Sequence, residues 1–173
     1  MASVTSIFFI ARREELGSAF PGWTKRGPAA RLARPERQVN RMPAGAEHLR
    51  HFATNAPVWY EHVLGILNVV DKQRDPLRDV LRSPDGHMVI YTIVPSSMMR
   101  LAALDADGTH DVASEMLEAE DSLYVRDGWP AGACVELVAQ LRALAAEAMD
   151  ASDLALLHGG DFTSVYFLFE RKE

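Results

Sequence analysis

The 173-residue chain lacks the features that mark a secreted or membrane protein. Cys134 is its single cysteine, so no internal disulfide can form and a reducing compartment is the simplest environment. No apolar run approaches the roughly 20 residues that cross a bilayer. The short run "SIFFI" at 6–10 has no basic residue before it, unlike the apolar core of a secretory signal. These features predict a cytoplasmic protein with no membrane partner.

The motifs of several large enzyme families are also missing. The sequence holds no G-x-x-x-x-G-K-[ST] phosphate loop, no G-x-G-x-x-G fingerprint, no G-x-S-x-G nucleophile elbow and no H-E-x-x-H zinc motif. It has no pair of CxxC knuckles. We therefore predict no cofactor and no catalytic residue, and the absence of these motifs favours a role other than catalysis.

The charge is acidic and unevenly distributed. Eighteen basic and 24 acidic residues give a formal net charge of −6, which argues against general nucleic-acid binding because a polyanion needs a cationic surface. Residues 103–161 hold thirteen acids and two arginines. This half of the chain predicts an acidic surface that docks a basic protein partner. Arginine outnumbers lysine 15 to 3, which is typical of a GC-rich bacterial genome.

Strand and helix patterns predict an α+β (or α/β) fold in a single domain, 1–173. Three apolar runs, 4–11, 87–94 and 162–170, predict strands covered on both faces. Helices are predicted at 12–20, 44–53, 55–75, 76–82, 107–124 and 131–149. The expected architecture is a small central sheet of about three to four strands packed with helices.

Residues 20–43 show neither helical nor strand periodicity, and their prolines and glycines predict an irregular basic loop. Its basic side chains within 25–41 are Lys25, Arg26, Arg31, Arg34, Arg37 and Arg41. Such an arm can follow a phosphate backbone, but it has no interleaved aromatics on which bases would stack. The favoured partner of the loop is the acidic half of this chain or an acidic patch on a neighbouring copy. Nucleic-acid binding through 25–41 is the third hypothesis for the function, after protein–protein interaction and a metal-dependent enzyme.

Two groups of side chains are candidates for a site. His48 and His51 are three residues apart and would share a helix face, and His62 could complete a metal site. That site would make the protein a metal-dependent enzyme, whereas the simpler interpretation is polar residues at a helix contact. Asp111, Glu115 and Glu118, spaced four and three apart, predict an acidic helix face, which is more often solvated than catalytic.

Two tryptophans at turns, Trp23 and Trp129, join the acidic row as predicted partner-binding residues, because Trp is enriched in binding hot spots. The competing interpretation is that each closes an edge of the core. The leading hypothesis is a non-catalytic protein–protein interaction module, and association of the chain with itself stays open.

The motifs "FPGW" at 20–23 and "DGW" at 127–129 support one resemblance. With Val94, Pro95, Leu104, Asp105 and the closing aromatic strand, they make the chain similar to a loose group of uncharacterised bacterial proteins. Residues 43–86 are not matched. The resemblance implies a fold but no activity. Similar small acidic proteins include immunity factors that neutralise toxins, so it is compatible with an immunity-type role.

Overall fold

The structure of the protein is a computed structural model. It describes residues 6–25, 37–38, 43, 45–49, 51–54, 58, 60–72, 75–86, 88–157 and 162–170. Most of the predicted basic loop, 26–36 and 39–42, lies outside these residues.

An antiparallel sheet forms the centre of the described part of the chain. Its six strands are β1 (Ser6–Arg12), β2 (Arg37–Gln38), β3 (His51–Thr54), β4 (Leu77–Arg82), β5 (Met88–Ile93) and β6 (Thr163–Glu170). Five of them lie in the order β3-β1-β6-β5-β4, and β2 pairs with the end of β6. The first and last strands are therefore neighbours, with Phe8 opposite Phe167.

Six helices are described around this sheet. They are α1 (Arg13–Ala19), α2 (Tyr60–Asp71), α3 (Pro95–Ala102), α4 (Ala106–Glu118), α5 (Leu123–Arg126) and α6 (Ala131–Leu157). Helix α6 packs directly on β6 and β1, α3 and α4 pack on α6, and α2 packs on α3 and α4. None of these helices combines the length and apolar character needed to cross a membrane, among the described residues.

Side-chain alternation in the strands builds one core on each face of the sheet. On the face covered by α2, α3, α4 and α6, Phe8, Tyr91 and Phe167 are buried. On the opposite face, Phe9 and Tyr166 stack with ring centroids 5.4 Å apart, beneath a thinner cover that includes α1. The α+β class is confirmed, and β1, β5 and β6 are apolar on both faces, as the sequence predicts. The sheet has more strands than the three to four expected.

Strand β4 replaces the helix predicted at 76–82. A bulge between Asp79 and Leu81 inserts an extra residue, so Leu77 is buried on one face of the sheet and Leu81 on the other. Two residues four apart in a regular strand would share a face. The bulge thus produces an apolar spacing that imitates a helix, which is why the helix prediction is wrong.

The helix predicted at 44–53 is also absent. Gly45 has a φ of +95°, and the backbone then makes two successive turns, from Ala46 N to Pro43 O and from Leu49 N to Ala46 O. The chain enters β3 at His51, and β3 pairs with the edge of β1 opposite to β6. In the part of the predicted irregular loop that the structure describes, Arg37–Gln38 form the strand β2, whose Arg37 pairs with Glu170.

A buried carboxylate ties the end of α2 to the start of α3. One oxygen of Asp71 accepts hydrogen bonds from the hydroxyls of Ser96 (3.0 Å) and Ser97 (2.6 Å). The other oxygen lies 2.8 Å from Nε of Arg100. Because the side chain of Asp71 is 2% exposed, these three partners replace the water it has lost.

Asp71→Ala should lower the free energy of unfolding by about 2–4 kcal/mol, because it leaves the buried hydroxyl of Ser97 without its acceptor and removes the ion pair. Urea denaturation followed by circular dichroism measures this. The matched control is Asp150→Ala, at an exposed position of α6, which should change stability by less than about 0.5 kcal/mol. Equal effects of the two substitutions would contradict the structural role of Asp71.

Candidate functional site

The "DGW" motif forms the C-terminal cap of α5. Trp129 N donates to Tyr124 O at 2.8 Å and Gly128 N donates to Val125 O at 3.1 Å, the bond pattern of a Schellman motif. Gly128 has a φ of +73°, which a residue without a Cβ adopts most readily. The rings of Trp129 and Tyr124 pack edge to face, 5.2 Å apart, as expected for the apolar contact that accompanies this motif.

The cap directs Asp127 and Trp129 onto His62 of α2. His62 Nε2 lies 3.0 Å from Asp127 Oδ2, and the side chains are 1% and 27% exposed. The imidazole lies against Tyr124 and Trp129, with ring centroids 4.7 and 5.0 Å away. We call His62, Asp127 and Trp129 the latch, because they join α2 to the turn between α5 and α6.

Burial determines the electrostatics of this cluster. It lowers the pKa of His62 below the ordinary value of 6.5, although the carboxylate of Asp127 acts in the opposite direction. Burial also raises the pKa of Tyr124 well above 10.0. The Tyr124 hydroxyl therefore stays protonated and donates to the backbone oxygen of His62 at 2.6 Å. Both side chains are neutral groups at pH 7.

This geometry does not favour acid–base or nucleophilic catalysis. In a catalytic His–carboxylate pair the imidazole must reach the substrate, whereas here the imidazole is enclosed and the carboxylate is the more exposed partner. Cys134 is fully buried, and burial raises the pKa of its thiol to about 11. A thiol with that pKa is a poor nucleophile at neutral pH.

The outer face of α4 carries the predicted acidic row. Asp111, Glu115 and Glu118 are all exposed, and together with Ser114 and Ala119 they line an open depression of about 500 Å³. Glu120 and Asp121, in the turn that follows, are exposed as well. None of these five carboxylates forms a salt bridge with a cation in the described part of the chain.

A second depression, of about 550 Å³, adjoins the first at Ala119. It lies between α4 and α5, and Val125 in its wall is 61% exposed. Its other lining residues are Leu117, Glu120, Asp121, Ser122, Leu123 and Arg126. We define the acidic surface as Val125 together with Asp111, Glu115, Glu118, Glu120 and Asp121.

The five predicted partner-binding residues do not form one surface. Asp111, Glu115 and Glu118 lie together on α4, and Trp129 lies partly buried in the latch. Trp23 packs against the core on the opposite face of the sheet. Trp23 therefore cannot touch the same partner region as the acidic row.

The "FPGW" motif is an anchor for the chain on that opposite face. Trp23 N donates to Phe20 O at 3.2 Å, and Gly22 has a φ of +82°, as the third residue of a type II turn requires. The rings of Phe20 and Trp23 lie 4.9 Å apart, and Phe20 is buried. Thr24 then pairs with Arg82 beside the edge strand β4. In this position Trp23 closes an edge of the core.

The helix on which the metal hypothesis depends does not exist. His48 is exposed in the turn before β3 and His51 belongs to β3 itself, so the helical spacing that placed both rings on one face does not apply. His62 already has Asp127 at its Nε2. Across the described residues, no group of three His, Cys, Asp or Glu side chains could hold a metal ion.

Sequence reasoning missed two components of the site. Asp127 was recognised only as part of a turn, and Val125 was not singled out. The "DGW" motif predicts a turn at Asp127. The contact of Asp127 with His62, 65 positions earlier, depends on how α2 packs on α5. No local pattern distinguishes the exposed Val125 from the fully buried Tyr124 beside it, since both are apolar side chains.

The chain matches no protein-family model, no curated protein sequence and no solved structure.

Gly128→Ala should lower the free energy of unfolding by about 1–2 kcal/mol, because a side chain strains the left-handed backbone of the cap. The added Cβ would meet no atom within 4 Å, so the cost comes from the backbone. Gly132→Ala, early in α6 and equally open, is the control and should be neutral or slightly stabilising. Thermal and urea unfolding compare them, and equal stability of the two variants would argue against the strained cap.

Proposed function

We propose that the protein acts by binding a basic protein partner on the acidic surface. The observation that supports this is a set of five exposed carboxylates that form no salt bridge within the described part of the chain, two of which line the same depression as the exposed Val125. The role is that of an interaction module without a catalytic step. Neutralisation of a basic enzyme, as immunity proteins achieve it, is one form of this role.

The charge arrangement on α4 supports binding more than it supports stability. Asp111 and Glu115 are spaced i,i+4, where like charges destabilise a helix by a few tenths of a kcal/mol. No cation in the described part of the chain offsets this cost. Lysines or arginines of a partner would relieve it and would also steer the two proteins together during association.

The acidic surface also has an apolar part, and an apolar contact area is something that charged groups alone do not supply. Protein interfaces combine a desolvated apolar centre with a polar rim. Val125 is exposed, and Leu117 and Leu123 line the same depression. A partner with one apolar side chain flanked by basic residues would bury Val125 while its cations meet the carboxylates.

Charge reversal on the surface tests the proposal. Wild-type protein and the variant Glu115→Lys with Glu118→Lys are each used to capture proteins from a nuclease-treated lysate of the host cells at low salt. The wild type should retain a basic protein that the variant binds about tenfold or more weakly, because opposite charges are replaced by like charges at the contact. Capture should also fall as ionic strength rises, since exposed charges are screened within about 8 Å at physiological salt.

The matched control carries the same change of net charge elsewhere. Asp150→Lys with Asp153→Lys alters two exposed residues of α6 outside the acidic surface, and this variant should capture the partner like the wild type. Loss of capture by both variants would mean that net charge, and not this surface, is responsible. Capture of no protein by the wild type, or equal capture by all three, would overturn the proposal.

A further inference from the structure

The latch combines a buried histidine with a carboxylate, and the proposed binding on the acidic surface does not depend on this pair. Its imidazole is enclosed, yet its carboxylate partner reaches solvent. A neutral imidazole suits the contact with Tyr124 and Trp129, whereas an imidazolium loses its hydration there. The stability of the contact therefore depends on whether His62 carries a proton.

We propose that the latch is a pH-sensitive device: when His62 takes up a proton, the turn Asp127–Trp129 loosens its hold on α2. The neutral state keeps the turn closed at pH 7. Acidification opens it, because the charged ring regains water only by separating from the two aromatic rings.

The charged groups around the ring act in both directions. Asp127 on the turn and Glu61 on α2 favour the imidazolium, while Arg126 on α5 disfavours it. Nε of Arg126 also lies 3.1 Å from the other oxygen of Asp127. The positive charge of Arg126 therefore offsets part of the effect of that carboxylate on His62. Burial outweighs both carboxylates, and the pKa of His62 is lowered overall.

The direction of the pH effect follows from this balance. The unfolded chain has a histidine of ordinary pKa, about 6.5. Below that pH and above the lowered pKa of His62, the unfolded or opened state binds more protons than the closed state. The latch is therefore fully stable above about pH 6.5 and weakens as the pH falls through the window beneath it.

The movement is confined to the turn and its neighbours. Tyr124 is fully buried and donates to the backbone of His62, a bond that does not depend on the protonation of the ring. Helix α5 thus stays attached while Asp127 and Trp129 separate from α2. Opening would therefore displace Asp127 and Trp129, while Val125, which belongs to α5, keeps its place on the acidic surface.

Nuclear magnetic resonance of the full-length, isotope-labelled protein tests the latch without any partner. The imidazole signals of His62 and the indole N–H signal of Trp129 are followed from neutral to acidic pH. Both should change with one shared midpoint, which lies below about pH 6.5, the ordinary value for histidine. His110, an exposed histidine of α4, is the control position. His62→Gln should abolish the change at Trp129, and the control His110→Gln should leave it intact.

Two milder substitutions keep the test decisive if His62→Gln does not fold. Asp127→Asn removes a group that favours the imidazolium and should move the midpoint to lower pH. Arg126→Gln removes a group that opposes it and should move the midpoint to higher pH. Titration of His62 at or above about pH 6.5, a Trp129 signal that does not follow His62, or shifts in the reverse directions would each overturn the proposal. Such a failure would leave partner binding on the acidic surface unaffected.

Discussion

The double-sided apolar sheet is the constraint on which the rest of the structure depends. Along β1 and β6, consecutive side chains point to opposite faces, and on both faces they are large and buried, as Phe8 and Phe9 illustrate. A sheet of this kind is stable only when each face is covered. The helices α2, α3, α4 and α6 cover one face, and α1, the "FPGW" turn and the segment around Leu49 cover the other.

The two covers differ in thickness, and the candidate site lies on the thicker one. On the thicker side, α6 lies on the sheet and α4 lies on α6, so α4 buries Val112 and Met116 while its other face meets solvent. The acidic row occupies that outer face. Helix α2 packs beside α4 and is also joined to the turn after α5 through the latch. The acidic surface and the latch are therefore parts of one layer.

Local patterns were sufficient to predict an element where the apolar residues keep one regular spacing along the whole segment. The strands β1, β5 and β6 and the helix α2 were predicted from apolar runs or spacing, and the exposure of Asp111, Glu115 and Glu118 follows from a helical period. The prediction failed where one residue changes the period. The bulge in β4 separates Leu77 from Leu81 across the sheet, and the turns after Gly45 convert an expected helix into β3. The bulge is set by the pairing of β4 with β5, and β3 forms by pairing with β1, which lies far earlier in the chain.

By itself, the sequence determined the α+β class, the acidic outer face of α4 and the glycine turns that hold Trp23 and Trp129, since each depends on local periodicity or on backbone freedom at a single residue. Only the tertiary structure decided that these two tryptophans lie on opposite faces of the sheet, that Val125 is exposed beside the carboxylates, and that Asp127 meets His62. The reason is physical: Asp127 and His62 are 65 positions apart, Trp23 and Trp129 lie on separate segments, and the side of α5 that meets solvent depends on what packs against it. Their partners are selected by the packing of whole helices on the sheet, which no local pattern encodes.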